Sequence, residues 1–198
     1  APGWLEPLVE ALDRDEKVVA VQPKILAYRE KEKFEYAGAA GGYIDYLGFP
    51  FCRGRVLDTT ERDIGQYDDE VEVFWTTGAA LCIRREWYRS TGGLDEDFFA
   101  HMEEIDLCWR LKNKGGVLKA VPASVVYHLG GGSLPMNHPR KLFLNYRNNL
   151  LMLHKNLDEK QRGKVFFVRG LLDMMAAGLF LLKGEFSNTR SVIRAYRA

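Results

Sequence analysis

With 198 residues, 46% of them hydrophobic and 28% charged, the chain holds enough apolar material for one domain with a sizeable core, or for a half-domain and an appendage. A net charge of +1 denies it the broad basic field on which nucleic-acid binding depends, so no nucleic acid is expected as a partner. Cys52, Cys82 and Cys108 are odd in number, far apart and free of any Cys-x-x-Cys, which argues against a disulfide framework and a structural zinc site and leaves a reducing cytoplasm as the default.

In chain order, Pro2 near a helix start, followed by Trp4, Leu5, Leu8, Val9 and Leu12, predicts a short amphipathic helix. Residues 18–26 read as a mostly buried strand. Between 28 and 70, Gly38, Gly41, Gly42, Gly48, Pro50 and Gly54 interleave with Phe34, Tyr36, Tyr43, Tyr46, Phe49 and Phe51, a pattern of turns and short strands. Residues 71–76 and 79–83 are strand candidates, 85–90 a short helix, and 101–113 a longer helix closed by Gly115-Gly116. Two short strands, 117–121 and 124–128, are broken by Pro122. From Pro139 the pattern is helical. The arrangement is mixed α/β with helices added at the C-terminus, and Cys82 and Cys108, inside apolar runs, read as core packing.

Chemistry concentrates behind the Gly92–Asp97 turn, where Glu103, Glu104 and Asp106 place three carboxylates within four residues at the start of a predicted helix. The positive end of the helix dipole stabilises anions there, and such a group can act as a general base or hold a cation. His128 follows at the end of an apolar strand and precedes Gly130 to Ser133, whose backbone N–H groups either meet a phosphate or form a plain flexible turn. Arg140 and Arg147, seven apart, share a helix face suited to a diphosphate or another polar group, with surface arginines as the other reading. Asp95 and Asp97 either bind the hydroxyls of a ligand or cap the next helix.

The tail has its own character. From Glu159 onward eight basic residues face three acidic ones, a net +5 against −4 for the rest of the chain. Residues 165–182 approach the shortest membrane-spanning length, but Arg169 and Asp173 within them favour an interfacial helix with basic flanks on an anionic surface. Packing against the body of the protein, or against a second copy in a homodimer, competes with that reading.

The runs Thr77-Gly78-Ala79-Ala80-Leu81-Cys82-Ile83-Arg84-Arg85, Gly92-Gly93-Leu94-Asp95-Glu96-Asp97-Phe98-Phe99, Glu103-Glu104-Ile105-Asp106-Leu107-Cys108, Tyr127-His128-Leu129-Gly130-Gly131-Gly132-Ser133 and Tyr146-Arg147-Asn148-Asn149-Leu150 together carry a resemblance. They resemble the second half of a bacterial family-2, GT-A-type glycosyltransferase of the rhamnosyltransferase-like kind. The resemblance implies an α/β fold, a partial GT-A-like mixed sheet flanked by helices over 1–157 as the acceptor-binding and catalytic half, with an amphipathic helical extension over 158–198. In that family the first half binds the nucleotide sugar and ends in an Asp-x-Asp metal motif. None precedes Pro2-Gly3-Trp4-Leu5-Glu6 here, so the resemblance implies a fragment that lacks the nucleotide-binding half and is inactive by itself.

What the resemblance implies chemically is inverting, metal-dependent transfer from a nucleotide-sugar donor to a saccharide or polyprenyl-linked acceptor in cell-surface polysaccharide synthesis. The family places its base in a Glu-Asp pair at a helix start. Here the pair is Glu103-Glu104, which implies Glu104 as the base, Glu103 and Asp106 as substitutes, and a purely structural cluster as the remaining alternative. His128 is implied as a ligand of Mn²⁺ or Mg²⁺, against a core histidine. Trp75, Thr77 and Gly78 are implied to face the acceptor from a strand end, with Trp75 either stacking on a sugar or packing in the core, and residues 28–70 to form an acceptor-facing loop. The enzyme is expected in the cytoplasm, peripheral on the inner face of the membrane through 165–182. Two other classes stay open: a non-catalytic carbohydrate-binding module derived from such an enzyme, and a membrane-docking module.

Overall fold

Val18–Ala27 forms strand β1, and nine of its ten residues are buried, the signature of a strand covered on both faces. The computed structural model describes residues 2–130 and 138–198. Within them the chain divides into two units, one of Ala1–Asp45, Pro50–Leu94 and Glu104–Gly130, the other of Tyr46–Phe49, Asp95–Glu103 and Gly131–Ala198.

In the first unit β1 pairs in parallel with β8 (Val117–His128) and antiparallel with β7 (Cys82–Ile83), while β6 (Val71–Val73) pairs antiparallel with β8. The order β6-β8-β1-β7 is a mixed sheet. Helix α1 (Glu6–Asp13) covers it by packing Leu8, Ala11 and Leu12 onto Val18, Val21 and Val121. Truncating Leu8, fully buried there, costs about 2–5 kcal/mol.

Pro122 does not divide β8 as the sequence pattern predicts. The ladder instead jumps from Pro23↔Val121 to Lys24↔Val125, so residues 122–124 are accommodated as a bulge. Pro23 stands at that jump and has no N–H to give the ladder, which is where an irregularity costs least. Beyond the sheet, the glycine- and aromatic-rich segment folds into two hairpins, β2 (Gly42–Ile44) with β3 (Pro50–Cys52) and β4 (Arg55–Val56) with β5 (Thr59–Thr60). Lys24, buried in β1, holds the following segment through Asp63 at 2.8 Å and through Asp68. Burial pushes its ammonium pKa down, but the two carboxylates outweigh that and leave it raised.

Helix α2 (Arg85–Ser90) matches its predicted span, whereas α3 (Glu103–Asn113) starts two residues later than the apolar pattern suggests. His101 and Met102 sit in the left-handed region, at φ +71°, and cannot join a right-handed helix.

The second unit is helical. The helical pattern that begins at Pro139 resolves into α4 (Pro139–Asn156), α5 (Glu159–Leu182) and α6 (Phe186–Ala195). Asp158 makes the first break by accepting a capping bond from Lys160 N–H at 2.8 Å, and Gly184, at φ +75°, lies in the second. The buried stripe of α5 is Val165, Arg169, Asp173 and Ala177, spaced four apart, and its opposite side is apolar and exposed.

Candidate functional site

Glu103 and Glu104 open α3, where backbone N–H groups lack intrahelical partners and favour a carboxylate. Glu104 is half-buried beside Gly78: a methyl group added to that glycine would lie 3.6 Å from the Glu104 Cβ. The strand end leading to Gly78 is pinned. Thr77 N–H donates to Gln22 Oε1 at 2.9 Å, Gln22 Nε2 donates to Gly38 O at 2.7 Å, and Thr76 Oγ1 lies 3.4 Å from Cys108 Sγ on α3. Burial pushes the Cys108 thiol pKa up to about 11, so it packs as a neutral group. The structure thus brings Gly78 against Glu104, with Thr77 buried beside Gln22 and Gly38.

Asp106 and Trp75 have other work. Asp106 is sealed from solvent and accepts from Arg110 Nε at 2.7 Å, while Arg110 also donates to Gly93 O at 2.8 Å and to Thr91 O. That arrangement fixes the Gly92-Gly93 turn to α3 and leaves the carboxylate no path to an acceptor hydroxyl. Trp75 is 5% exposed and gives its indole N–H to Tyr43 O at 2.8 Å. Its ring fills the space that any side chain at Gly42 would need, since a Cβ there would come within 2.0 Å of it. A ring held in this way has no free face for a sugar.

His128 ends β8 and, through its backbone oxygen, accepts from Tyr28 N–H at 2.9 Å. Its Nδ1 is buried without a hydrogen bond, 3.6 Å from Glu35 Oε1. Glu35 is nearly buried, and its other oxygen accepts from Ala37 N–H at 2.6 Å. A Cβ at Gly130 would lie 2.3 Å from Glu35 Oε1, so a side chain there would displace that carboxylate. Glu35 stands alone in an aperiodic segment far from His128 in sequence, and no sequence pattern singles it out. Among the described residues no three His, Cys, Asp or Glu side chains gather to hold a metal ion. An imidazole nitrogen beside a carboxylate nonetheless fits part of a donor set for Mn²⁺.

In the second unit, Asp95 caps the short 3-10 turn Glu96–Phe98, accepting from Asp97 N–H at 2.9 Å, and pairs with Lys155 at 2.5 Å. Arg147 donates through Nε to Asn148 Oδ1 at 2.8 Å and through Nη2 to Phe98 O at 3.2 Å and to Asp97 O, so its guanidinium braces that turn. Arg140 is exposed and lies over the Phe99 ring at 5.1 Å. Gly131 to Ser133 fall outside the described residues.

Over 159 residues, 77% of this chain, the sequence is 28% identical to the N-acetylglucosaminyl-diphospho-decaprenol L-rhamnosyltransferase of Mycobacterium tuberculosis (strain ATCC 25618 / H37Rv), covering 50% of that protein. It is 31% identical over 130 residues to the pre-mycofactocin glycosyltransferase of the same strain, 64% of this chain and 24% of that one. Its homologues are glycosyltransferases. No protein-family model matches the chain. Among solved structures, GalNAc-T7 with UDP, GalNAc and Mn²⁺ superposes with a TM-score of 0.50 at 18% identity over 78% of this chain and 29% of that one. This mixed sheet flanked by helices therefore has a GT-A-like fold. The chain spans about half the length of the rhamnosyltransferase it matches.

Proposed function

We propose that the protein takes part in inverting transfer of a sugar from a nucleotide-sugar donor to a saccharide or polyprenyl-linked acceptor, in cell-surface polysaccharide synthesis. The observation that carries this reading is the 159-residue likeness to a transferase whose name specifies a diphospho-decaprenol acceptor. Glu104 is the base in this scheme. Its carboxylate, at the positive end of α3, takes the proton of the acceptor hydroxyl as that oxygen attacks the anomeric carbon opposite the departing nucleoside diphosphate. The new C–O bond forms as the old one breaks, which inverts the centre. Gly78, packed beside Glu104, borders the acceptor position.

A divalent cation, Mn²⁺ or Mg²⁺, held in part by His128 with Glu35 behind it, would supply charge neutralisation for the leaving diphosphate. Glu35 Oε1, 3.6 Å from His128 Nδ1, would orient the imidazole in that arrangement, and the side chain lies too deep to meet a substrate itself.

The same reading places the protein in the cytoplasm against the inner face of the membrane. Helix α5 turns Arg169 and Asp173 inward and exposes Phe167, Leu171, Met174, Met175, Leu179 and Leu182. Lys160, Arg162, Lys164 and Lys183 flank this face. In a homodimer through α5, parallel or antiparallel, basic ends would meet basic ends, whereas an anionic bilayer accepts both the apolar face and its rim.

The test is a transfer assay on the protein as encoded, screening nucleotide sugars with Mn²⁺ against lipid-linked acceptors. Full transfer activity in Glu104→Gln would remove the assigned base, and absence of transfer with every donor would favour a non-catalytic carbohydrate-binding role.

A further inference from the structure

The segment leading into α3 is held in a costly backbone path. Ala100 N–H donates to Phe98 O at 2.7 Å across Phe99, which sits at φ +60° and ψ −56°. That is the strained form of the γ-turn, rare for any residue with a side chain. His101 and Met102 follow at φ +71°. Three of the four residues 99–102 are thus left-handed, and none is glycine. Such a stretch persists only where its surroundings over-determine it.

Asn148 of α4 supplies that determination. It is fully buried, and its Nδ2 lies 2.9 Å from Phe98 O, 2.8 Å from Ala100 O and 2.7 Å from His101 O. An amide has two hydrogens, so one is shared between carbonyls. Its Oδ1 accepts from Arg147, which in turn donates to Phe98 O and Asp97 O. The Phe98 ring is buried as well, with the Lys155 ammonium 5.1 Å from its centre.

Two adjacent side chains on one helix therefore collect the carbonyls of Asp97, Phe98, Ala100 and His101. The consequence falls on α3. Relaxed to right-handed values, His101 and Met102 would extend that helix towards its N-terminus, as the apolar pattern from 101 favours. Glu103 would then move from the first to the third helical position and Glu104 would leave the first turn, where open N–H groups favour an anion.

We propose that Arg147 and Asn148 form a clamp that keeps Phe99, His101 and Met102 at positive φ and so fixes Glu103-Glu104 at the mouth of α3, with Asn148 a positioning residue for the base. The proposal rests on the reading of Glu104 as that base. Its first readout needs no substrate. Removing the three-carbonyl donor in Asn148→Ala should speed amide hydrogen exchange at residues 99–104 by about tenfold or more. In the transfer assay kcat should fall by about tenfold while the donor KM stays within about twofold.

Adding Met102→Gly, which allows positive φ at no cost and disfavours helix extension, should restore both protection and most of kcat. A side chain that merely packs would not be rescued by a glycine at another residue. Unchanged exchange in Asn148→Ala, or a loss that Met102→Gly does not relieve, would overturn the clamp. Should Asn148→Ala fail to fold, Arg147→Lys keeps the buried amide and removes the guanidinium bonds to Asp97 O, Phe98 O and Asn148 Oδ1. It should raise exchange at the same residues by a smaller factor, and no rise would likewise count against the proposal. Full activity in Glu104→Gln would instead sink the base assignment and leave the exchange result standing.

Discussion

Arg169 and Asp173 lie one turn apart on α5, both nearly inaccessible, with Nη2 and Oδ2 3.4 Å apart. Arg169 also donates to Leu47 O at 3.1 Å and stacks on the Phe49 ring at 3.7 Å, and Tyr196 OH donates to Asp173 Oδ2 at 2.6 Å. Burial and the neighbouring carboxylate push the Tyr196 phenol pKa well above its usual range, so it stays protonated and keeps donating. The two charges that interrupt the apolar run are therefore spent inside the helical unit. Asp173→Ala would strand the Arg169 charge in that interior. It should cost about 3–5 kcal/mol, while Arg169→Met with Asp173→Leu should cost much less, as read from denaturant midpoints.

The outward face of α5 sets a second expectation. Sedimentation with vesicles containing phosphatidylglycerol should retain the chain, and retention should weaken with salt because the rim is basic. Leu171→Asp or Met175→Asp should abolish it without lowering thermal stability, since both side chains are exposed. Self-association that rises with concentration and ignores vesicles would replace the bilayer by a second copy.

Acidification should act through His101. Burial first, then the nearby Lys141 ammonium, depress its pKa below the ordinary 6.5, against an opposing pull from Glu103. The unfolded chain therefore takes up the proton more readily than the native one. Stability is complete above about pH 6.5 and is lost as pH falls from there towards the lower native value. Denaturant midpoints between pH 7 and pH 5 should fall more steeply in the parent than in His101→Gln.

Periodicity made much of this architecture legible. The nine buried residues of β1, the span of α2 and the helical tail all follow from apolar spacing. What stayed hidden depended on long-range contacts. Met102 reads as a helix residue until Asn148, 46 positions later, binds the carbonyl beside it. Pro122 reads as a strand break until Pro23 offers it a bulge. Asp106 and Glu104 are alike in sequence, and only Arg110 and Gly78 tell them apart. Glu35 acquires meaning solely from the end of β8.

The pairing of His128 with Glu35 can be checked through metal affinity. In the protein as encoded, Mn²⁺ binding followed by electron paramagnetic resonance should weaken about 10–100-fold in Glu35→Gln, the usual effect of losing a carboxylate behind a metal-bound histidine. His128→Ala should weaken it at least as much. Equal affinity in all three proteins would detach this strand end from the cation.

The two acids of α3 should part company under the smallest possible change. Glu104→Gln removes a charge from a half-buried side chain whose Cβ packs against Gly78, so the fold should survive. Losing a general base should lower kcat by about 10²–10⁴-fold with little effect on donor KM. Asp106→Asn breaks the sealed pair with Arg110 and should show the reverse: lowered stability, with kcat largely kept in the protein that remains folded. Glu103 begins α3 with one buried oxygen that lacks a hydrogen bond, and Glu103→Gln should fall between them. If Asp106→Asn proved the catalytically dead variant while stable, the acid beside Gly78 would be structural and the base would have to be sought elsewhere.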